Sequence, residues 1–213
     1  GVIAGASLPY DQSVLAKAPK LKVVARAGIG FDNVVLADAT SLGIAICNTP
    51  DGPTISTAEH ALALILSVSK DLNESQGRLR RQEGNYGPQH RAIELDGASL
   101  ALIGLGRIGS RVAQFAVAMG MRVTAYDPFE AAERFEDLGV ERASNLHDAV
   151  SSAHIVSIHA PLTPETRHLV DAELFSQMQD GVLIVNTARG GLIDDHALLA
   201  ALNSGKVAGA GLD

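Results

Sequence analysis

A glycine-rich turn in the middle of the chain is the strongest constraint on its fold. Residues 104–109, Gly-Leu-Gly-Arg-Ile-Gly, follow the apolar run Ser99–Ile103 and precede the helical pattern Ser110–Met119. An acidic residue, Asp127, closes the next apolar run, 23 residues after Gly104. A strand, a glycine turn, a helix and a second strand that ends in a carboxylate are typical of a dinucleotide-binding unit.

Each glycine of this turn has a separate physical role in such a unit. Gly104 allows the tight turn, Gly106 lets the backbone approach a pyrophosphate, and Gly109 lets the helix pack closely on the sheet. The first N–H groups of the helix would then bind the phosphates. Three glycines within six residues also arise in ordinary turns, but the flanking pattern and Asp127 favour the dinucleotide site.

Asp127 also indicates which dinucleotide is bound. A carboxylate at the end of the second strand accepts hydrogen bonds from the ribose hydroxyls of the adenosine half and repels a 2′-phosphate. We therefore expect NAD as the cofactor rather than NADP. The alternative is that Asp127, followed by Pro128, only ends a strand in a turn.

Composition limits the classes of partner. The 213 residues contain 46% hydrophobic residues and carry a formal charge of −7 without a basic stripe, so we expect neither a nucleic-acid nor an anionic-membrane partner. No apolar stretch approaches the roughly 20 residues of a membrane span. The single cysteine, Cys47, excludes an internal disulfide, and its apolar surroundings predict a buried side chain. We expect a cytoplasmic enzyme and assign no metal to it.

Apolar runs of strand length recur along the chain, and most are separated by stretches long enough for a helix. Runs that are continuously hydrophobic are typical of strands buried on both faces of a parallel sheet. The predicted fold class is therefore α/β, with a doubly wound parallel sheet. The predicted strands cover residues 1–6, 21–27, 43–47, 99–105, 122–126, 154–159, 181–187 and 208–212.

The longest helical pattern runs from Thr54 to about Leu72 and is apolar over more than one face, so it must be widely buried in a domain junction or against a partner subunit. The polar stretch 73–95 is interpreted as a helix end and a surface loop. The two prolines and the glycine in 49–53 predict a hinge, which places a domain boundary there.

Three polar clusters follow predicted strands, where ligands bind in doubly wound sheets. In Arg26–Asn33, glycines 28 and 30 could present backbone N–H groups to an anion, or the segment could be a tight turn into a helix capped by Asp32. In 159–166, His159 could contact the nicotinamide half or be structural. In 186–191, Arg189 could clamp a substrate carboxylate or form a surface salt bridge.

Taken together, these motifs make the chain resemble the D-isomer-specific 2-hydroxyacid dehydrogenases, and most of all the phosphoglycerate dehydrogenase branch. They match in order and cover almost the whole chain. The matching stretches are 21–33, Asn48-Thr49-Pro50, Ser56-Thr57-Ala58-Glu59-His60, 104–109, Tyr126-Asp127-Pro128, 159–166, 186–191 and 209–213.

The resemblance implies a Rossmann NAD-binding domain over 51–213, led by a dimerisation helix at 54–72, and part of a flavodoxin-like substrate domain over 1–50. It implies that Arg189 binds the carboxylate of a small 2-hydroxy or 2-oxo acid and polarises the 2-oxo group. The backbone N–H groups of Gly28, Ile29 and Gly30 would complete that carboxylate site. The NAD site would comprise Gly104, Gly106, Arg107, Ile108, Gly109, Asp127, His159, Ala160, Pro161, Thr187, Ala188 and Asp213.

The resemblance also implies that the chain is an internal piece of a dehydrogenase. The family's glutamate and its general acid/base histidine lie beyond the position of Asp213, and none of the seven histidines here has the family's Pro-His context. We expect the piece alone to be inactive and the parent to be a homodimer. The substrate could be phosphoglycerate, hydroxypyruvate, glyoxylate or D-lactate, and specificity would depend partly on Arg26 and the 84–91 loop. The alternative is a nucleotide-sensing protein similar to the corepressors that share this fold.

Overall fold

The computed structural model describes residues 1–84 and 91–213. Contacts divide the chain into two compact units, Gly1–Ser56 and Thr57–Asp213. In the described ranges, every helix is too short or too polar to cross a membrane. The assignment of a substrate domain to 1–50 and a cofactor domain to 51–213 stays a prediction.

The first unit is built on a small parallel sheet in the order β1-β2-β3. Val24 of β2 pairs with Val2 on one side and Ile46 on the other. Its core consists of Ala4, Leu15, Val24, Ala39 and Ile44. The elements are β1 Val2–Ala4, α1 Gln12–Leu15, β2 Val23–Arg26, α2 Leu36–Ser41 and β3 Ala45–Asn48.

The second unit contains six parallel strands in the order β6-β5-β4-β7-β8-β9. The chain moves outward from β4 through β5 to β6, returns beside β4 as β7, and then moves outward in the other direction. Two helices precede the sheet: α3 Thr54–Ser69, which begins in the first unit, and α4 Leu72–Arg80. The other elements are β4 Ser99–Ile103, α5 Arg107–Ala118, β5 Arg122–Tyr126, α6 Ala132–Leu138, β6 Glu141–Arg142, α7 Leu146–Val150, β7 Ile155–Ile158, α8 Ala172–Gln177, β8 Val182–Asn186, α9 Asp195–Ser204 and β9 Val207–Leu212.

Two hydrophobic cores cover the two faces of this sheet. Leu100 and Leu102 of β4 lie in one core, whereas Ala101 and Ile103 lie in the other, because successive residues of a strand point to opposite faces. The strands β7 and β8 are buried along their whole lengths. The prediction of an α/β, doubly wound parallel sheet is therefore confirmed. The order in which the chain adds strands reverses between β4 and β7, and such folds bind ligands at this point.

Three details differ from the sequence-based expectations. The helix expected over Thr54–Leu72 ends at Ser69, and a second helix starts at Leu72 after Asp71, whose φ is 50°. The short strand β6 was not predicted. Cys47 is exposed rather than buried, because β3 is an edge strand that is mostly exposed.

Candidate functional site

The glycine turn lies at the carboxyl end of β4. Two of its glycines are required by the close packing of neighbouring backbone atoms. Gly104 has φ +98°, and a Cβ there would lie 2.9 Å from the backbone nitrogen of Ala160. A Cβ on Gly109 would overlap the carbonyl oxygen of Gly104. These contacts bring the turn, the start of α5 and the segment after β7 together, and larger residues are excluded at both positions.

Gly106 differs because the described residues leave space where its Cβ would be. Its φ is −64°, which any residue adopts, and apart from its chain neighbours no atom of residues 1–84 and 91–213 lies within 4 Å of a Cβ built there. Gly106 is also the N-cap of the 12-residue helix α5, and no side chain of the described residues caps that end. The helix end therefore has space and N–H donors for a phosphate group, which fits the pyrophosphate of a dinucleotide.

The next two residues of the predicted NAD site begin α5. Arg107 is exposed, whereas Ile108 is partly buried and packs against the core on one face of the sheet. Ser110 fixes the turn from behind, since its hydroxyl donates to the carbonyl oxygen of Leu105 over 2.6 Å.

Asp127 follows β5 and is hydrogen-bonded to the glycine turn. Its Oδ2 accepts from the N–H of Leu105 at 2.8 Å, and its Oδ1 accepts from the N–H of Phe129 at 3.0 Å. The N–H of Gly104 donates to the carbonyl oxygen of Tyr126 at 2.9 Å. The bond to Phe129 is the turn contact that the alternative interpretation predicts, but the bond to Leu105 also places this carboxylate beside the phosphate-binding turn. Each carboxylate oxygen can accept a further hydrogen bond.

A cleft of about 490 Å³ opens beside Asp127, between the ends of β5 and β6. One wall consists of residues 126–128 and the other of residues 142–144. The first wall was predicted from the sequence, whereas the second was not, because the two-residue strand β6 produces no recognisable hydrophobic run.

His159 lies directly after β7, with its N–H donating to the carbonyl oxygen of Ile103 at 2.8 Å. Its Nε2 lies 2.9 Å from the hydroxyl of Ser157, which is fully buried. Burial lowers the pKa of His159 to about 4, so the ring is neutral at pH 7. These contacts give His159 a structural role, and its contact with a nicotinamide stays a prediction. Beyond it, Ala160 is partly buried and Pro161 is exposed.

Asn186, the last residue of β8, organises the third cluster. Its side chain accepts from the N–H of Ala188 at 3.0 Å and donates to the carbonyl oxygen of Arg189 at 2.8 Å. Its carbonyl oxygen accepts from the N–H of Asp213 at 3.0 Å. This buried amide was not singled out from the sequence, although it fixes the backbone on which the predicted residues lie.

Two side chains in this cluster are suited to a ligand. The hydroxyl of Thr187 is buried and has no hydrogen-bond partner within residues 1–84 and 91–213. The guanidinium of Arg189 is partly buried, and its Nη1 donates to the carbonyl oxygen of Ala188 at 2.6 Å. Asp213 is exposed, and its Oδ2 lies 3.8 Å from Nε2 of His60 on α3. The orphaned hydroxyl after β8 and the open helix end after β4 both lie at the carboxyl edge of the sheet, and both fit a bound dinucleotide.

The first unit contains the other predicted cluster, at the end of β2. Gly28 has φ +143°, its N–H donates to the hydroxyl of Thr49 at 2.9 Å, and the carbonyl oxygen of Ile29 accepts from Asn48 at 2.9 Å. The N–H of Gly28, which was predicted to bind a substrate carboxylate, is therefore already hydrogen-bonded within the protein. Asp32 does not cap the following helix, whose N-cap is Val35.

Arg26 lies beneath this loop and is almost fully buried, with 7% of its surface exposed. Its Nη1 donates to the carbonyl oxygen of Ala27, and its Nε has no partner in the described part of the chain. A Cβ on Gly28 would lie 3.0 Å from Nη1 of Arg26, so the loop closes tightly over the guanidinium. Most of the 84–91 loop, including His90, lies outside the described residues.

Comparison with known proteins gives a consistent result. Residues 62–213 match the model of the NAD binding domain of D-isomer specific 2-hydroxyacid dehydrogenases. The D-3-phosphoglycerate dehydrogenase of Mycobacterium tuberculosis is 45% identical over 203 residues, which are 95% of this chain and 38% of that protein. The same enzyme of Methanocaldococcus jannaschii is 42% identical over 202 residues, with the same shares.

Solved structures agree with these matches. The D-lactate dehydrogenase of Aquifex aeolicus, complexed with NAD and lactic acid, has a TM-score of 0.93 at 34% identity, covering 100% of this chain and 63% of that one. A formate dehydrogenase of Granulicella has a TM-score of 0.94 at 28% identity, covering 100% of this chain and 58% of that one. The prediction of NAD as the cofactor is confirmed. The chain spans about 38% of the length of the curated relatives described above.

Proposed function

Because the chain belongs to the D-isomer specific 2-hydroxyacid dehydrogenase family, we propose that the full-length protein interconverts a D-2-hydroxy acid and its 2-oxo acid. NAD held at this site would supply the redox chemistry, in which a hydride leaves C2 of the hydroxy acid and a general base takes the proton of the 2-hydroxyl. The residues of this chain bind the cofactor, orient the substrate and stabilise its charges.

Cofactor binding is assigned to the carboxyl edge of the six-stranded sheet. The uncapped end of α5 at Gly106 would bind the pyrophosphate, and Asp127 would accept hydrogen bonds from the adenosine ribose. The buried hydroxyl of Thr187 would form a hydrogen bond with the nicotinamide half of NAD, next to Ala188 and Asp213. His159–Pro161 would line the same edge.

Substrate orientation is assigned to Arg189, and the hydrogen bonds of Asn186 are the observation that carries this proposal. They fix the backbone of Ala188, Arg189 and Asp213 at the end of one buried strand. A guanidinium held there suits the planar carboxylate of a 2-hydroxy acid, which it can bind through two parallel hydrogen bonds. It would also draw electrons from the 2-oxo oxygen and so favour hydride transfer to C2.

No proton-transfer role is assigned to His159. A base must reach the 2-hydroxyl and should have a pKa near the working pH. Burial lowers the pKa of this histidine to about 4, and its Nε2 is hydrogen-bonded to Ser157. The His159 ring therefore has a structural role, packed beside the glycine turn and hydrogen-bonded to Ser157.

The substrate is proposed to be a short acid of the phosphoglycerate, hydroxypyruvate or glyoxylate type. We further propose a cytoplasmic homodimer that associates through the apolar 54–72 segment.

The test is a kinetic comparison of the full-length protein with Arg189→Ala and Arg189→Lys. We expect Arg189→Ala to lower kcat/KM for the best D-2-hydroxy acid by about 10- to 100-fold, which is the loss of a charge-assisted contact of about 1.5 to 3 kcal/mol. Arg189→Lys should recover part of the loss, because it keeps the charge without the planar fork. The dissociation constant of NADH should change less than twofold.

Arg122→Ala is the matched control, since this exposed arginine lies at the opposite end of β5. Unchanged kcat/KM in Arg189→Ala would show that Arg189 does not bind substrate. A full-length protein that binds NADH but converts no D-2-hydroxy or 2-oxo acid would support the nucleotide-sensing alternative.

A further inference from the structure

Arg142 lies at the carboxyl edge of the six-stranded sheet, beside the proposed cofactor site. It is the last residue of β6 and pairs in register with Ala125 of β5, two residues before Asp127. Its guanidinium carbon lies 5.2 Å from the centre of the Phe135 ring. Phe135 belongs to α6 and is 2% exposed, so the guanidinium lies over a fixed aromatic surface.

The charge of Arg142 is not neutralised by the protein around it. Within the described ranges no carboxylate lies within 4.0 Å of its guanidinium nitrogens. The side chain is exposed and lines the cleft of about 490 Å³. Asp127 lines the same cleft from the opposite strand.

We propose that Arg142 is a cofactor-binding residue that stacks on the adenine ring of NAD. This inference rests on the proposed cofactor site. If Asp127 binds the adenosine ribose, the base attached to that ribose enters the cleft between the ends of β5 and β6. The Phe135 ring lies on one side of the guanidinium, and the exposed side chain lines the cleft, where an aromatic ring could stack on it.

A stacking contact and a charge contact predict different behaviour. A stacked guanidinium can be replaced by another flat side chain, whereas a guanidinium that attracts phosphate can be replaced by another cation. A charge contact would also favour NADPH, whose 2′-phosphate is attached to the same ribose. The two roles are therefore distinguished by comparing Arg142→Tyr with Arg142→Lys.

The experiment measures the dissociation constants of ADP-ribose, NADH and NADPH by titration calorimetry with the full-length protein. We expect Arg142→Leu to weaken the binding of ADP-ribose and NADH by about 3- to 10-fold, the range for a partly exposed cation–π contact. Arg142→Tyr should stay within twofold of the unmodified protein, and Arg142→Lys should resemble Arg142→Leu. In kinetics, Arg142→Leu should raise the KM for NAD and leave kcat unchanged. Arg134→Leu, an exposed arginine on α6 that does not line the cleft, is the control.

Three results would overturn the inference. Unchanged affinities in Arg142→Leu would show that the side chain does not contact the cofactor. Full rescue by lysine but not by tyrosine would indicate a charge contact, as would a loss confined to NADPH. Arg142→Lys preserves the aliphatic stem over Phe135, so it remains informative if Arg142→Leu unfolds. If the unmodified protein binds neither ADP-ribose nor NADH, the proposed function fails instead.

Discussion

The buried ring of His159 predicts that the protein loses stability in mild acid. Burial lowers its pKa to about 4, from an ordinary value of 6.5. Between about pH 4 and pH 6.5, the unfolded chain therefore binds a proton at this histidine and the folded chain does not. The free energy of unfolding must therefore fall as the pH falls from about 6.5 to about 4.

The size of the effect follows from the two pKa values. From pH 7 to pH 5, such a histidine lowers the free energy of unfolding by about 2 kcal/mol, since one pKa unit corresponds to about 1.4 kcal/mol. His159 as a whole residue is only partly buried, and solvent screening reduces the value. We therefore expect a loss of about 1 to 2 kcal/mol that is specific to this side chain.

The assay is urea denaturation at pH 7 and pH 5, followed by circular dichroism. His159→Gln keeps a polar group that can reach the Ser157 hydroxyl but cannot gain a proton, so its stability should fall less than that of the unmodified protein over this range. His147→Gln removes an exposed histidine from α7 and is the matched control. Parallel losses in the unmodified protein and His159→Gln, within about 0.3 kcal/mol, would refute the reasoning.

Three further substitutions test the turn and its carboxylate. Gly109→Ala should lower the free energy of unfolding by about 3 kcal/mol or more, because its Cβ would overlap the carbonyl oxygen of Gly104; an unchanged urea midpoint would contradict this. Gly106→Ala should leave the urea midpoint nearly unchanged but weaken NADH binding about tenfold or more, because only the pyrophosphate would meet the added methyl group. Full NADH affinity in this variant would refute the phosphate assignment. Asp127→Asn should weaken NADH binding about tenfold and narrow the difference between NADH and NADPH, both measured by fluorescence titration; equal affinities in the unmodified protein would disprove the role of Asp127.

The sequence predicted the elements whose hydrophobic pattern is long and whose ends carry clear signals. The bounds of β5, Arg122–Tyr126, were predicted without error, because an apolar run there ends in Asp127-Pro128. By contrast, β6 has only two residues, too few for any periodicity. The break between α3 and α4 was also missed, since Asp71 adopts a positive φ without a glycine or proline to signal it.

For the candidate site, the sequence predicted where the motif residues lie in the fold, and their roles stay predictions. Motif residues such as Gly106 and Asp127 have fixed spacing, so their positions could be anticipated from the chain alone. Burial and long-range contacts could not: an apolar run around Cys47 does not reveal that its strand lies at a sheet edge. Similarly, no pattern connects Arg142 with Phe135, seven residues earlier, because their contact depends on how α6 packs beside β6.

The hydrogen bond from Leu105 to Asp127 has a consequence for how cofactor preference could change during evolution or engineering. The same carboxylate that discriminates against a 2′-phosphate also accepts an N–H from inside the glycine turn. Replacing Asp127 with a small or basic residue to admit NADP leaves that buried N–H without its acceptor, at a cost of about 1 to 3 kcal/mol. In this protein a change of coenzyme at Asp127 is therefore expected to lower thermal stability. A second substitution that restores an acceptor for the turn should recover that stability.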